Sequence, residues 1–138
     1  MSKPHKLSAI GMSRLVLVVD DDPRVRQSIE SLLSSAGFEV RLYASAADLL
    51  ASHAIEVAGC LITDIRMPAV DGWQLQRRTA SIYPDLPVIF VTAHQDEGAF
   101  ESASSGGAFA LFYKPFDGEE LLATVEAALP PLEISSGS

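Results

Sequence analysis

Four apolar stretches of this sequence end in polar side chains that could carry out chemistry. Residues 14–19 are followed by Asp20 and Asp21, residues 59–63 by Asp64, residues 87–91 by Thr92, and residues 108–113 by Lys114. Three carboxylates repel one another unless a cation lies among them, and a few hard oxygen ligands suit Mg²⁺. A carboxylate beside such an ion can attack phosphorus, while an ammonium group and a hydroxyl stabilise the phosphoryl oxygens. If these residues share a site, its chemistry is phosphoryl transfer to a carboxylate.

Each of these side chains, taken alone, also has an ordinary structural explanation. Asp64 could be a helix N-cap or a solvated turn residue, although a carboxylate at the end of a buried strand is costly without a partner. Lys114 could be a surface lysine or part of a strand-end salt bridge, and Thr92 could cap a helix. We favour the shared site because these side chains all fall at strand ends, and the apolar strands carry almost no other charge.

The apolar runs predict β-strands, and the segments between them predict helices. The four runs are strands one, three, four and five, and Phe38 to Tyr43 is the second strand. Alternating strands and helices are typical of an α/β fold with a parallel sheet covered on both faces. We expect a flavodoxin-like, doubly wound, five-stranded parallel sheet with strand order 2-1-3-4-5. In this order, ligands bind beyond the carboxyl ends of strands one and three.

Capping signals mark where the helices begin. The predicted starts are Asp22 with Pro23, a capping box from Ser45 to Asp48, Asp71 with Gly72, a segment from Glu97 to Gly107, and Asp117 to Glu120. In the third helix, Leu75, Thr79 and Ile82 are expected to face inward. The fourth segment is rich in glycine and serine, so it predicts a weak helix.

Composition restricts the classes of protein that remain. The 138 residues carry a formal net charge of −8, which argues against binding of nucleic acid or anionic membranes by this chain itself. Cys60 is the single cysteine and lies in an apolar run, which favours a packed side chain in a reducing compartment. No apolar stretch is long enough to span a membrane or to direct export, so we expect a cytoplasmic protein.

Two other kinds of site find no support in the sequence. The first strand is not followed by a glycine-rich loop, so neither dinucleotide binding nor a nucleotide phosphate loop is indicated. His5, His53 and His94 lack metal-ligand spacing. The expected organisation is a flexible leader over 1–13, one domain over 14–129, and a tail or truncated linker over 130–138.

Together these residues resemble a known family, the receiver domain of bacterial two-component response regulators. The motifs that carry the resemblance are Val18 to Pro23, Thr63 to Pro68 with Asp71 and Gly72, Val91 to Ala93, and Tyr113 to Phe116. The likeness covers residues 14 to 129 and is most similar to FixJ-type receivers, which are usually followed by a DNA-binding output domain. The resemblance therefore implies a role in phosphorelay signal transduction and, through such an output domain, in transcription regulation.

The resemblance also implies a role for each residue. Asp64 would accept a phosphoryl group from a sensor histidine kinase or phosphotransfer protein. Mg²⁺ would bind Asp21, Asp64 and the backbone carbonyl of Arg66, with Asp20 assisting through water. Thr92, the amide of Ala93, and Lys114 would hold the phosphoryl oxygens. The expected partners are the kinase and an output domain or a second copy, bound through the face of the fourth helix, fifth strand and fifth helix.

Two features depart from the family pattern. Leu111 occupies the position, three residues before the lysine, where the family usually has an aromatic switch residue. The fourth helical segment, normally part of the output face, is rich in glycine and serine. Both departures concern signalling and leave the phosphoryl chemistry intact.

Two rival functions remain open at this point. A Mg²⁺-dependent phosphatase or phosphotransferase with an aspartyl nucleophile would need a second acid-base carboxylate, but Arg66 lies two residues after Asp64. A degenerate receiver that only binds partners would be expected to lack part of the acidic, hydroxyl and lysine set. We expect a phosphoacceptor domain that assists its own phosphorylation and dephosphorylation, and not an enzyme.

Overall fold

A computed structural model describes residues 14–93 and 98–129 of the chain. The strands are β1 (Leu15–Val19), β2 (Glu39–Tyr43), β3 (Cys60–Thr63), β4 (Val88–Thr92) and β5 (Ala110–Tyr113). The α-helices are α1 (Pro23–Ser35), α2 (Ala46–Ser52), α3 (Gly72–Ile82), α4 (Ala99–Ser105) and α5 (Gly118–Ala128), and a short 3-10 helix spans Ala54–Val57. Over the described ranges, the predicted alternation of strands and helices is confirmed.

The strands form one parallel sheet in the order β2-β1-β3-β4-β5, as predicted. Val19, the last residue of β1, is paired with Thr63, the last residue of β3. Thr92, the last residue of β4, is paired with Tyr113 of β5. Because the strands are parallel and end in register, the residues that follow them meet at the same edge of the sheet.

Two apolar clusters, one on each face of the sheet, hold the helices in place. Every residue of β1, β3 and β4 is buried, as expected for strands covered on both faces. Alternate residues point to opposite clusters, so Leu111 packs with Phe90 while Phe112 packs with Val91. Cys60 is fully buried, and its burial raises the pKa of the thiol to about 12. The cysteine is therefore a packed core residue, as predicted.

Capping residues start the helices where the sequence predicted. The side chains of Asp22, Ser45 and Asp117 accept hydrogen bonds from backbone amides of α1, α2 and α5. Asp71 and Gln74 form a reciprocal capping box at the start of α3. None of the α-helices in the described part of the chain is long and apolar enough to cross a membrane.

One predicted core residue is wrong. Ile82 is 67% exposed, although Leu75 and Thr79 are buried as expected. Helical spacing predicts an inward position at 82, but α3 ends there, and the next residue, Tyr83, packs against the core instead. Gln76 is the unexpected buried residue of this helix, with only 5% of its surface exposed.

The region around α4 is shorter than its predicted segment. The helix occupies Ala99–Ser105, and Gly98 and Gly107 beside it have positive φ angles that favour glycine. The following strand begins at Ala110, later than the predicted 108. The predicted leader over 1–13, His5, His94 and the segment 130–138 lie outside the described residues.

Candidate functional site

Asp20 lies at the end of β1 and is held at both its backbone and its side chain. Its amide donates to the carbonyl of Tyr43 at 3.1 Å, which extends the pairing of β1 with β2 by one residue. Its Oδ1 accepts from the amide of Asp22 at 2.9 Å. The Asp20 carboxylate is buried, whereas Asp21 beside it is exposed. One carboxylate therefore lies inside the site and its neighbour at the entrance.

Asp64 occupies the matching position after β3. Its amide donates to the carbonyl of Val19 at 3.0 Å, which ties the ends of β1 and β3 together. Its Oδ1 accepts from the amide of Arg66 at 3.2 Å, and only 6% of the residue is exposed. The side chain of Thr63 donates to the carbonyl of Asp64 at 2.9 Å. The position of this carboxylate is thus fixed by the backbone around it.

The loop after Asp64 folds back tightly against the start of α3. The amide of Gly72 donates to the carbonyl of Ile65 at 2.8 Å. A Cβ atom at position 72 would lie 2.8 Å from the Cα of Ile65 and would overlap the carbonyl oxygen of Asp64. Glycine is required here because the neighbouring atoms are backbone, which cannot swing away. The Asp71-Gly72 pair therefore fixes both the helix start and the loop that carries Asp64.

Lys114 connects the two buried carboxylates. Its Nζ donates to Oδ2 of Asp20 at 2.9 Å and to Oδ2 of Asp64 at 3.1 Å. The backbone amide of Lys114 donates to the carbonyl of Thr92 at 2.8 Å, so the end of β4 positions the lysine. The lysine side chain is 16% exposed, which makes these ion pairs largely buried. Residues from three strand ends therefore meet through one ammonium group.

The electrostatics of the site reflect this burial. Burial of its carboxylate raises the pKa of Asp20, and hydrogen bonds from the Asp22 amide and Lys114 oppose the shift without cancelling it. Burial of the Lys114 ammonium disfavours its charged form, but its hydrogen bonds to Asp20 and Asp64 outweigh this effect and raise the pKa of Lys114. The lysine is therefore cationic at neutral pH, and the carboxylates around it still outnumber it.

Thr92 completes the set at the end of β4. The residue is fully buried, and its Oγ1 has no hydrogen-bond partner within the described structure. Buried hydroxyls without a partner are uncommon because desolvation is then uncompensated. Ala93 follows it on the exposed surface. The hydroxyl is available to bond a ligand that enters the site.

The donor set fits a divalent cation. One carboxylate oxygen each from Asp20, Asp21 and Asp64 lie within 4.8 Å of one another. Hard oxygen ligands of this kind suit Mg²⁺, which also keeps several of its waters. The exposure of Asp21 leaves room for those waters at the entrance. The three carboxylates could therefore bind a metal ion.

Of the side chains predicted from the sequence, the structure brings together four, namely Asp20, Asp21, Asp64 and Lys114, and it places Thr92 at the end of β4, where its backbone carbonyl accepts from the amide of Lys114. Sequence reasoning missed Arg26, whose Nη1 donates to the backbone carbonyl of Asp20 at 2.6 Å. The signal was available, because side chains in a first helical turn lean back toward the N-terminus and the preceding turn.

Comparison with known proteins identifies the family. The family model described as "Response regulator receiver domain" matches residues 16–126 of the sequence, which is most of the chain. The chain belongs to this family. The phosphatase reading of the same residues finds no support in the match. As a receiver, the chain takes part in two-component signal transduction.

Similar proteins agree with this assignment. The receiver is 41% identical over 115 residues to the DNA-binding transcriptional regulator NtrC of Escherichia coli K12, a match that covers 83% of this chain and 24% of that protein. It is 36% identical to the response regulator protein TmoT of Ectopseudomonas mendocina, covering 83% of this chain and 52% of that protein. The chain thus spans between a quarter and about half of these relatives.

A solved structure supports the fold as well. The crystal structure of FixJ-N is 34% identical to this receiver and superposes with a TM-score of 0.75, covering 85% of this chain and 94% of that one. The FixJ-type likeness expected from the sequence is therefore confirmed at the level of family and fold.

Proposed function

We propose that Asp64 is the phosphoacceptor of this receiver and takes its phosphoryl group from the phosphohistidine of a sensor kinase or phosphotransfer protein. The observation that carries the proposal is the bridge of Lys114 between Asp20 and Asp64, at the edge of the sheet where β4 ends in Thr92 with its unpartnered hydroxyl. An anion bound next to Asp64 would satisfy that hydroxyl. It would also have a cation within reach.

The transfer step balances without any further reactant. A carboxylate oxygen of Asp64 attacks phosphorus as the P–N bond of the phosphohistidine breaks, and the electron pair leaves on the imidazole nitrogen. A P–O bond to Asp64 forms in the same step. Hydrolysis by water later returns the carboxylate and releases inorganic phosphate. The receiver would accelerate its own modification and its reversal, and we do not propose turnover of a separate substrate.

The remaining residues of the site would stabilise the negative charge on the oxygens of the phosphoryl group during transfer. Mg²⁺ would be held by Asp21, Asp64 and the Arg66 backbone carbonyl, with Asp20 acting through water, and when bound it would neutralise part of that charge. The Lys114 ammonium would bind one phosphoryl oxygen and leave its carboxylate partners to the metal. Thr92 would donate its hydroxyl to another oxygen, together with the amide of Ala93.

The readout of this chemistry would be a change in partner binding. NtrC, a relative of this chain, is a DNA-binding transcriptional regulator, which supports a role in transcription through an output domain. We propose that the face of α4, β5 and α5 contacts that domain or a second copy of the chain. We also propose residues 14–129 as the receiver unit, and a cytoplasmic location stays a prediction.

The test is mass spectrometry of the intact chain after incubation with acetyl phosphate and Mg²⁺. The parent should gain one phosphoryl group, and Asp64→Asn should gain none. Asp85→Asn is the matched control, since this exposed residue precedes β4 at the opposite end of the sheet. Equal labelling of Asp64→Asn and the parent would refute the site. Rapid release of phosphate without an adduct would favour an enzyme, and absence of any adduct would favour a degenerate receiver.

A further inference from the structure

Arg26 contacts the backbone of the acidic site formed by Asp20, Asp21 and Asp64, and it has no role in the phosphoryl transfer proposed above. It is the fourth residue of α1, and its Nη1 donates to the backbone carbonyl of Asp20 at 2.6 Å. The side chain is half-buried. Because helical side chains lean toward the N-terminus, Arg26 reaches back over the turn that joins β1 to α1.

Apart from the ion pair with Lys114, two hydrogen bonds hold Asp20 against β2 and the start of α1. The amide of Asp20 is bound to Tyr43 of β2, and the Asp20 carboxylate binds the amide of Asp22. Both of these contacts leave the Asp20 carbonyl without a partner. Arg26 supplies that partner with a charged donor, and hydrogen bonds of this kind are shorter and stronger than neutral ones.

The guanidinium also adds a positive charge near three carboxylates. Among the described residues no ion pair joins Arg26 to a carboxylate, so the oxygens that would bind a cation are not occupied by it. Two effects on metal binding then compete. Ordering of the turn would favour binding of a cation, whereas the positive charge would repel it.

We propose that Arg26 is a positioning residue for the metal site. By holding the carbonyl of Asp20, it fixes the direction in which the turn presents the carboxylates of Asp20 and Asp21. Outer contacts that orient metal ligands commonly raise metal affinity, because the ligands need less ordering when the ion binds. The metal part of this inference rests on the proposed function.

The chain offers a closely matched control for the charge. Arg24 lies two residues earlier on the same helix, with 90% of its side chain exposed, 3.6 Å from the carboxylate of Asp22. Arg24→Met and Arg26→Met each remove one positive charge from the first turns of α1. The Asp20 carbonyl loses its donor in Arg26→Met alone. A third variant, Arg26→Lys, keeps the charge and a donor but loses the rigid planar fork.

The first measurement is Mg²⁺ affinity of the unphosphorylated full chain, from the fluorescence of Trp73. This single tryptophan lies with Arg66 and Met67 around a cavity of about 320 Å³ beside the Asp64 loop. We expect Arg26→Met to bind Mg²⁺ roughly tenfold more weakly than Arg24→Met. Arg26→Lys should recover part of the loss. Equal or tighter binding by Arg26→Met would overturn the proposal, because charge alone would then account for the data.

A second measurement separates this inference from the metal assignment. Hydrogen exchange of the Asp22 amide, which donates to Asp20, is measured without any divalent ion. We expect faster exchange in Arg26→Met and parent-like exchange in Arg24→Met. Parent-like exchange in Arg26→Met would overturn the positioning role. Failure of the parent to bind Mg²⁺, with faster exchange in Arg26→Met, would instead count against the proposed metal and support the positioning of the turn.

Discussion

The turn after β1 and the region around α4 are built in different ways. At the first, the amide, the carbonyl and both carboxylate oxygens of Asp20 have hydrogen-bond partners, which are Tyr43 of β2, Arg26 of α1, Asp22 at the N-cap of α1 and Lys114 just after β5. At the second, α4 is seven residues long, and its N-cap, Gly98, has no side-chain capping bond. Small residues, Ala99 and Ala103, attach that helix to the core.

This contrast suggests how binding energy at one region could become movement at the other. The amide and the carbonyl of Asp20 are both held by hydrogen bonds, so the backbone of the turn after β1 should keep its geometry whether or not a ligand is bound. A helix of only two turns, whose first residue follows a glycine N-cap without a capping bond, costs little to shift, so α4 is where a change near Thr92 should appear. We call the acidic edge of the sheet, with the turn after β1, the rigid region, and residues 98–107 around α4 the loose region. The predictions below test both descriptions.

The largest expected effect is on the loop beside Asp64. Gly72→Ala should lower the free energy of unfolding by about 3 kcal/mol, because its Cβ would meet the backbone of Asp64 and Ile65. The gain in helix propensity from alanine is smaller than this strain. Gly118→Ala is the control, since it also begins a helix but its Cβ would lie 3.4 Å from a Leu32 methyl. Urea unfolding decides, and equal stability of the two variants would contradict the close approach.

Removal of the bridging cation should have the next largest effect. Lys114→Met leaves the buried carboxylates of Asp20 and Asp64 without their shared partner, which should cost about 2 kcal/mol in metal-free buffer. Lys114→Arg, which keeps the charge, should lose less. Denaturant titration in the presence of a chelator measures both variants. A Lys114→Met protein as stable as the parent would mean that the carboxylates do not need the ammonium.

The rigid region is also the one that the sequence predicted well. Apolar runs fixed the strands, and the parallel sheet then brought Asp20, Asp64, Thr92 and Lys114 to one edge without any further information. The contact of Arg26 with the Asp20 carbonyl was not predicted, although the lean of helical side chains toward the N-terminus indicates the direction in which this arginine reaches. Side-chain contacts across elements depend on geometry that periodicity does not contain.

The loose region was predicted less well, for a physical reason. The glycine- and serine-rich composition of 97–107 indicated a weak helix but could not give its bounds.

The end of α3 was also predicted poorly, because periodicity placed Ile82 inward, whereas the helix stops there and the residue is exposed. Gln76, a polar residue on the buried face, was not predicted at all. Short helices end where tertiary contacts run out, and sequence patterns record those ends poorly.

A gain in stability should follow neutralisation of Asp20. The pKa of Asp20 is raised in the folded protein, chiefly by burial of its carboxylate. The contribution of this group to folding stability is therefore greatest when the pH is below the ordinary pKa of 3.8, and it is lost as the pH rises through the folded-state pKa. At pH 7 without metal, Asp20→Asn should therefore be more stable than the parent. The difference should shrink as the pH falls toward 4. A difference that grows on acidification would contradict the assigned direction.

The smallest expected effect concerns the attachment of α4. Gln76 is buried on α3, and its Nε2 donates to the carbonyl of Gly106, just after the last residue of α4. Thirty residues separate the two partners along the chain, so this bond joins α3 directly to the end of the loose region. Gln76→Met keeps the length of the side chain and removes the donor. It should cost about 1 kcal/mol, the usual value of one neutral hydrogen bond.

The location of the effect matters more than its size. If α4 is loosely attached, loss of the Gln76 bond should raise hydrogen exchange over 98–107 while the amides of Asp22 and Asp64 exchange as in the parent. Phosphorylation of the parent should likewise change exchange over 98–107 more than in β5, because Leu111 lacks the aromatic ring that the family usually moves. Gln74→Met, which removes a capping side chain on the exposed face of the same helix, is the control. Faster exchange spread evenly over both regions in Gln76→Met would mean that they unfold as one unit, and the contrast between them would not hold.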